Sequence, residues 1–239
     1  MFWTCGFFPG SLYALLERAR KFPQYLNIPA FHRQQFHSEV LKLARAWAEP
    51  LHGMATRTDT HDMAFIIQPA LRMDWELTGN ARSFKAVVTA AESLASRYDE
   101  KVKAIRSWDK AINKRYQYTD KDVDFLIIID SMCSKLNGTI HSRCPSFGFE
   151  KANRKTDLDL LYYVGHHTSN QKLIDIATIH AQTVLRTVVR DDYSTFHLVN
   201  LDAKTGVVKN QLTNQGYRDD STWSRLVPEM TFASKFEGF

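Results

Sequence analysis

The sequence predicts an all-α fold that carries one small β-hairpin. Seven stretches repeat their apolar residues at three- and four-residue intervals, the period of a half-buried helix. One pair of short segments, 195–200 and 207–212, alternates as strands around a turn containing Asp202 and Gly206. The helical stretches arrive as successive pairs, and no short unit recurs that would build a solenoid. A toroid of helical hairpins is the closed architecture such pairs can form.

Taken in order, 7–10 reads as an apolar turn punctuated by Pro9-Gly10, and Ser11 as the cap of a helix through Leu15 and Leu16 to Lys21. A second helix is expected over 31–48, with Phe36, Val40, Leu41, Leu43, Ala44 and Trp47 on one side. A third covers 62–77, kinked or split at Pro69 and ended by Gly79-Asn80. The next covers 81–98, with Phe84, Val87, Val88, Ala91, Leu94 and Ala95 in phase. A fifth starts at 120–124 and runs through Phe125, Leu126, Ile129 and Met132. Helices over 158–164 and 171–189 follow, the last with a stripe of Ile174, Ala177, Ala181, Val184, Leu185 and Val188. Residues 134–156 have neither apolar period, which is unusual for so long a segment inside a domain. Residues 226–239 also lack a pattern.

At 239 residues, with 44% hydrophobic and 24% charged residues, the chain fits a soluble globular protein with a sizeable core. The net charge is +5 and the pI about 9.0, yet Lys and Arg are scattered without the run or stripe of a nucleic-acid-binding arm. The mild positive charge is compatible with an anionic substrate. Cys5, Cys133 and Cys144 are odd in number and match no zinc spacing, so no disulfide framework is expected and a reducing, cytoplasmic setting is favoured. The first residues lack a basic n-region and a long apolar stretch, so no signal peptide is expected, and no apolar run is long enough to span a membrane. Aromatics stand at 12% with five Trp, which suits a sugar-stacking cleft and equally a well-filled core.

Two acids stand out. Asp62, in His61-Asp62-Met63-Ala64-Phe65, and Asp130, after Ile127-Ile128-Ile129, each lie beside an apolar run. A carboxylate there is costly to desolvate unless it is partnered or used. Their wide separation rules out a local salt-bridge motif, and two carboxylates from different elements facing one cavity are the usual equipment for acid/base chemistry on sugars. The ordinary alternative for Asp62 is a helix N-cap.

Four segments, in order, carry a resemblance: Trp3-Thr4-Cys5-Gly6-Phe7-Phe8-Pro9-Gly10, His61-Asp62-Met63-Ala64-Phe65, Ile128-Ile129-Asp130-Ser131-Met132 and Gln215-Gly216-Tyr217-Arg218-Asp219-Asp220-Ser221-Thr222-Trp223-Ser224-Arg225. With them the chain resembles the unsaturated glucuronyl hydrolases, glycoside hydrolase family 88. The resemblance implies an (α/α)6 barrel, here incomplete, and hydrolysis of oligosaccharides with a 4,5-unsaturated uronic acid at the non-reducing end. It implies no metal or organic cofactor. The family's reaction hydrates the enol-ether double bond, and the resulting hemiketal opens to release the next sugar. Carried over by motif, Asp130 is the general acid/base and Asp62 the second essential carboxylate. His197, Gln215, Trp223 and Arg225 would line the pocket, and Trp3 and Trp108 are further candidates for a sugar platform. Read alone, His197 is an ordinary strand residue, Arg225 a partner for Asp219 and Asp220, and Trp223 a core residue.

The match breaks in three places. The family runs almost directly from the equivalent of Cys133 to that of Asp157, so 134–156 reads as an unstructured insertion resembling translated non-coding sequence. After Arg225 the family continues into further helices, and Met1 stands just before a motif that the family places inside its domain. The expectation is one partial hydrolase domain over 1–239, with little or no activity as written. The competing readings are a non-catalytic product of a misread or damaged gene and an unsaturated rhamnogalacturonyl hydrolase. Oligomeric state is not legible.

Overall fold

The computed structural model describes residues 2–132 and 157–222. The chain forms two compact units, Met1–Arg57 with Asp62–Ser93, and Thr58–His61 with Leu94–Phe239. It is mostly helical with small sheets. The expected insertion and the patternless tail lie outside the described residues.

In the first unit, α1 (Phe7–Lys21) begins four residues before the expected cap, so the apolar turn is in fact the helix's first turn. Pro9 fits there because the amide it lacks has no partner to lose in a first turn. Ser11 is inside the helix and donates back to the Phe8 carbonyl at 2.7 Å. The spacing of Gly6 and Gly10 has a packing reason. A Cβ on Gly6 would lie 2.3 Å from the Ile66 oxygen, and one on Gly10 would lie 2.6 Å from Pro69 Cβ. The two glycines, one turn apart, let α1 press against the backbone of 65–69. That backbone belongs to α3 (Met63–Ile67) and to a π-helical turn (Gln68–Arg72), followed by α4 (Met73–Thr78). Pro69 thus splits the helix as expected, the wider turn absorbing its missing N–H, and α4 ends at Gly79 with φ 72°.

The second helix, α2 (Arg33–Met54), is longer than expected and runs through the exposed Pro50. It buries Ala44, Ala48 and Leu51, whereas Leu43 and Trp47 of the expected stripe are 46% and 56% exposed. α5 (Ala81–Ala95) is the expected helix but stops short of 98, because Tyr98 already belongs to a strand. Asp74 is a buried acid that the sequence did not single out. Burial pushes its pKa up, but hydrogen bonds from Ser83 (2.7 Å), Asn80 and Arg45 outweigh that and hold it below the usual value.

The second unit holds more strand than the single expected hairpin. The expected fifth helix is strand β5 (Asp124–Ile128), followed by a 3-10 turn (Ile129–Met132). Short hairpins precede it: β1 (Tyr98–Asp99) with β2 (Ala104–Ile105), and β3 (Ala111–Ile112) with β4 (Gln117–Tyr118). β6 (Leu198–Asp202) and β7 (Val208–Leu212) form the expected hairpin, but β5 pairs antiparallel with β6 to make a three-stranded sheet, β5-β6-β7. Both faces of β5 are covered. Phe125, Ile127 and Ile129 join Val102, Ala104, Val184, Val188, Val199 and Leu201 in one cluster. Leu126 and Ile128 join Leu198 and Leu212 in the other, with Trp108, Tyr116 and Tyr118 against them. A strand buried on both faces reads as an unbroken apolar run, which periodicity cannot separate from a buried helix. Its β-branched isoleucines are the cue that favours a strand.

α6 (Asp157–Thr168) and α7 (Gln171–Thr187) complete this unit. α7 buries Leu173, Ile176, Ala177, His180, Ala181, Thr183 and Val184, while Leu185 of the expected stripe is 41% exposed. Among the described residues, no helix is long and apolar enough to cross a membrane.

Candidate active site

β5 delivers Asp130. The strand register pairs Ile128 with Leu198, and the next amide, Ile129 N–H, donates to the His197 carbonyl at 3.1 Å. The chain then tightens into the 3-10 turn, so the half-buried Asp130 leaves the sheet at the end where His197 enters it. His197 is 1% exposed. Its Nδ1 accepts the backbone N–H of Asn214 at 3.2 Å and of Gln215 at 3.4 Å, with the Thr213 hydroxyl at 3.1 Å. The loop after β7 therefore folds onto the imidazole, and the acceptor role of Nδ1 puts the neutral ring's proton on Nε2. Gln215 meets His197 through its backbone, and its side chain is exposed.

The opposite edge of β5 carries Ser107 and Trp108. Ser107 N–H donates to the Leu126 carbonyl at 2.8 Å, and the Ser107 hydroxyl accepts Ile128 N–H at 3.0 Å. Trp108 is half-buried and bridges to Thr60. The His61 ring stands edge-on to its indole with centroids 5.0 Å apart. His61 N–H and Nδ1–H both donate to the Ser107 carbonyl at 3.2 Å. On α7, His180 accepts Ile105 N–H at 3.0 Å through Nδ1. Burial, with repulsion from His61 adding, lowers its pKa to about 3.

Asp62 and Trp3 belong to the first unit. Asp62 precedes α3 as its N-cap residue, half-buried, and its carbonyl accepts Ile66 N–H at 3.0 Å. It thus holds the N-cap position of the ordinary reading, at the positive end of the helix dipole, though its side chain makes no capping hydrogen bond to that helix. Trp3 is half-buried and packs edge-on against Phe7 (5.7 Å) and Phe65 (5.9 Å), the last residue of the His61-to-Phe65 motif. Trp223 and Arg225 lie outside the described residues. Among the described residues, no group of three His, Cys, Asp or Glu side chains is placed to hold a metal ion.

The structure thus brings Asp130 next to the His197–Gln215 loop, and Trp108 next to His61 and Ser107. Sequence reasoning missed His61 as a site residue, although it stands beside Asp62 in a quoted motif. It also missed Ser107, which no pattern of residue types marks.

No protein-family model matches the chain. An unsaturated glucuronyl hydrolase of Formosa agariphila is 29% identical over 225 residues, covering 93% of this chain and 44% of that protein. An unsaturated chondroitin disaccharide hydrolase of Streptococcus pneumoniae is 27% identical over 223 residues, 93% of this chain and 45% of that protein. Among solved structures, an unsaturated glucuronyl hydrolase specific for heparin superposes with a TM-score of 0.69 at 26% identity, over 93% of this chain and 47% of that one. The chain is similar in sequence and in fold to unsaturated glucuronyl hydrolases. The enzyme of that name from Bacillus sp. GL1 shares the fold, with a TM-score of 0.67 at 22% identity over 94% of this chain and 48% of that one. The chain spans less than half the length of the unsaturated glucuronyl hydrolases and chondroitin disaccharide hydrolases it matches.

Proposed function

We propose that this chain carries the acid/base residues of a hydrolase acting on oligosaccharides with a 4,5-unsaturated uronic acid at the non-reducing end, within a partial (α/α)6-barrel glycoside hydrolase domain. Asp130 is the general acid/base. Its carboxyl group protonates carbon 4 of the enol ether, water adds its oxygen to carbon 5, and the carboxylate recovers a proton from that water. The hemiketal opens and releases the next sugar. Asp62 is the second carboxylate, which orients substrate or water. His197, Gln215, Trp108, Trp3, Trp223 and Arg225 line the sugar site, with Arg225 suited to the uronate by charge. The net charge of +5 favours such an anionic substrate.

The observation that carries this reading is the Ile129–His197 bond, which supports Asp130 at the sheet end where the His197–Gln215 loop closes. The reading also draws on relatives named for hydrolysis of unsaturated glucuronyl and chondroitin disaccharides.

The test is the ultraviolet absorbance of the substrate's double bond. Against the low activity expected from the sequence alone, incubation with an unsaturated uronate disaccharide is expected to remove it at a measurable rate, and Asp130→Asn is expected to slow the loss by roughly 100-fold or more. Folded wild-type protein that leaves the absorbance unchanged defeats the proposal and favours the non-catalytic alternative.

A further inference from the structure

We propose that Ser107 is a positioning residue for this reaction: its hydroxyl holds the strand end that carries Asp130, while its carbonyl holds His61. The inference rests on the reading of Asp130 as the general acid/base.

The argument starts from the free edge of β5. Ser107 is fully buried and acts there as a one-residue strand. Its N–H takes the Leu126 carbonyl at 2.8 Å, as in a sheet ladder. The next donor along that edge is Ile128 N–H, in a residue only 2% exposed. An ordinary ladder would satisfy it with a backbone carbonyl. The Ser107 carbonyl is instead committed to His61, accepting both its N–H and its Nδ1–H at 3.2 Å. The Ser107 hydroxyl takes the carbonyl's place and accepts Ile128 N–H at 3.0 Å.

One side chain therefore allows the edge of β5 to do two things. The carbonyl is released to fix the His61 ring against Trp108, and the strand stays bonded up to the residue before the Ile129–Met132 turn. Because the acceptor is a carbonyl, His61 Nδ1 must carry its proton, which sets the ring's tautomer in the neutral state. Without the hydroxyl, Ile128 N–H is a buried donor with no acceptor on that edge. The strand end then relaxes, two residues before Asp130. A general acid gains from its geometry as much as from its proton, so small displacements there are expensive.

The experiment compares wild type, Ser107→Ala and Ser107→Thr on an unsaturated uronate disaccharide. It measures kcat, KM and the pH profile of kcat, together with amide exchange at Ile128. Ser107→Ala is expected to lower kcat roughly 10- to 100-fold with KM within about threefold, to displace the pH profile and to speed exchange at Ile128 while unfolding stays cooperative. Ser107→Thr keeps the hydroxyl and is expected to restore kcat to within about threefold of wild type. Ser107→Ala turnover within about twofold of an active wild type overturns the inference. So does an equal loss in both variants that tracks the loss of folded protein. A wild type that leaves the double bond intact is read from its own arm alone: the proposed activity fails, and the positioning role falls with it.

Discussion

Ile129 gives its backbone N–H to the carbonyl of His197 at 3.1 Å, the last sheet bond before the chain turns into Asp130. The bond joins two segments far apart in sequence, and it links the acid to the loop that caps His197. Because His197 Nδ1 accepts from the backbone of Asn214 and Gln215, the imidazole is both a candidate substrate contact and the anchor of that loop.

Two amides pointing at one ring nitrogen make the position sensitive to where an acceptor lies. In His197→Asn the side-chain oxygen can stand near Nδ1, whereas in His197→Gln it reaches toward Nε2. The glutamine variant is expected to unfold at lower denaturant, by about 1–2 kcal/mol relative to the asparagine variant, because it strands the loop amides. Urea titration of the two variants checks this, and equal midpoints contradict it.

His180 sets a pH dependence of stability. Its folded pKa is about 3, below the ordinary 6.5. Between these values the unfolded chain binds a proton that the folded chain refuses. Stability from this group is therefore complete above about pH 6.5 and declines as pH falls, by about 1.4 kcal/mol per unit at most. His180→Asn keeps an acceptor for Ile105 N–H but cannot titrate. Between pH 6.5 and 5 the wild type is expected to lose about 2 kcal/mol more than this variant in denaturant titrations, and parallel curves refute the assignment.

Gly10 offers a test whose sign is informative. In an open helix, Gly to Ala stabilises by about 1 kcal/mol. Here the added methyl would meet Pro69 Cβ at 2.6 Å and the Pro69 oxygen at 2.8 Å. Gly10→Ala is expected to destabilise by roughly 1–3 kcal/mol, through displacement of α1 from the 65–69 backbone. Thermal unfolding checks it, and a raised midpoint shows that the contact yields without cost.

Much of the helical architecture was legible because a helix with one wet face writes its period into the residues. α5 follows its expected stripe, the α7 stripe buries Ala177, Ala181, Val184 and Val188 but leaves Leu185 exposed, and Pro69 and Gly79 mark the split and the stop in the chemistry of the backbone itself. The β6–β7 hairpin was visible for the same reason, since its turn needs Asp202 and Gly206. The 120–132 segment failed because β5 has no wet face. Once both sides are covered, the alternation that distinguishes a strand disappears.

The site divides in the same way. Composition and local pattern by themselves determined that Asp62 and Asp130 are anomalous acids beside apolar runs, since flanking apolar residues draw an acid toward a core, where its charge is costly to desolvate without a partner. Only the tertiary structure decided that His197 anchors a loop, and that Ser107 closes the edge of β5 and fixes His61. Those roles consist of hydrogen bonds between residues distant in sequence, and no local rule of propensity or spacing determines which donor will find which acceptor.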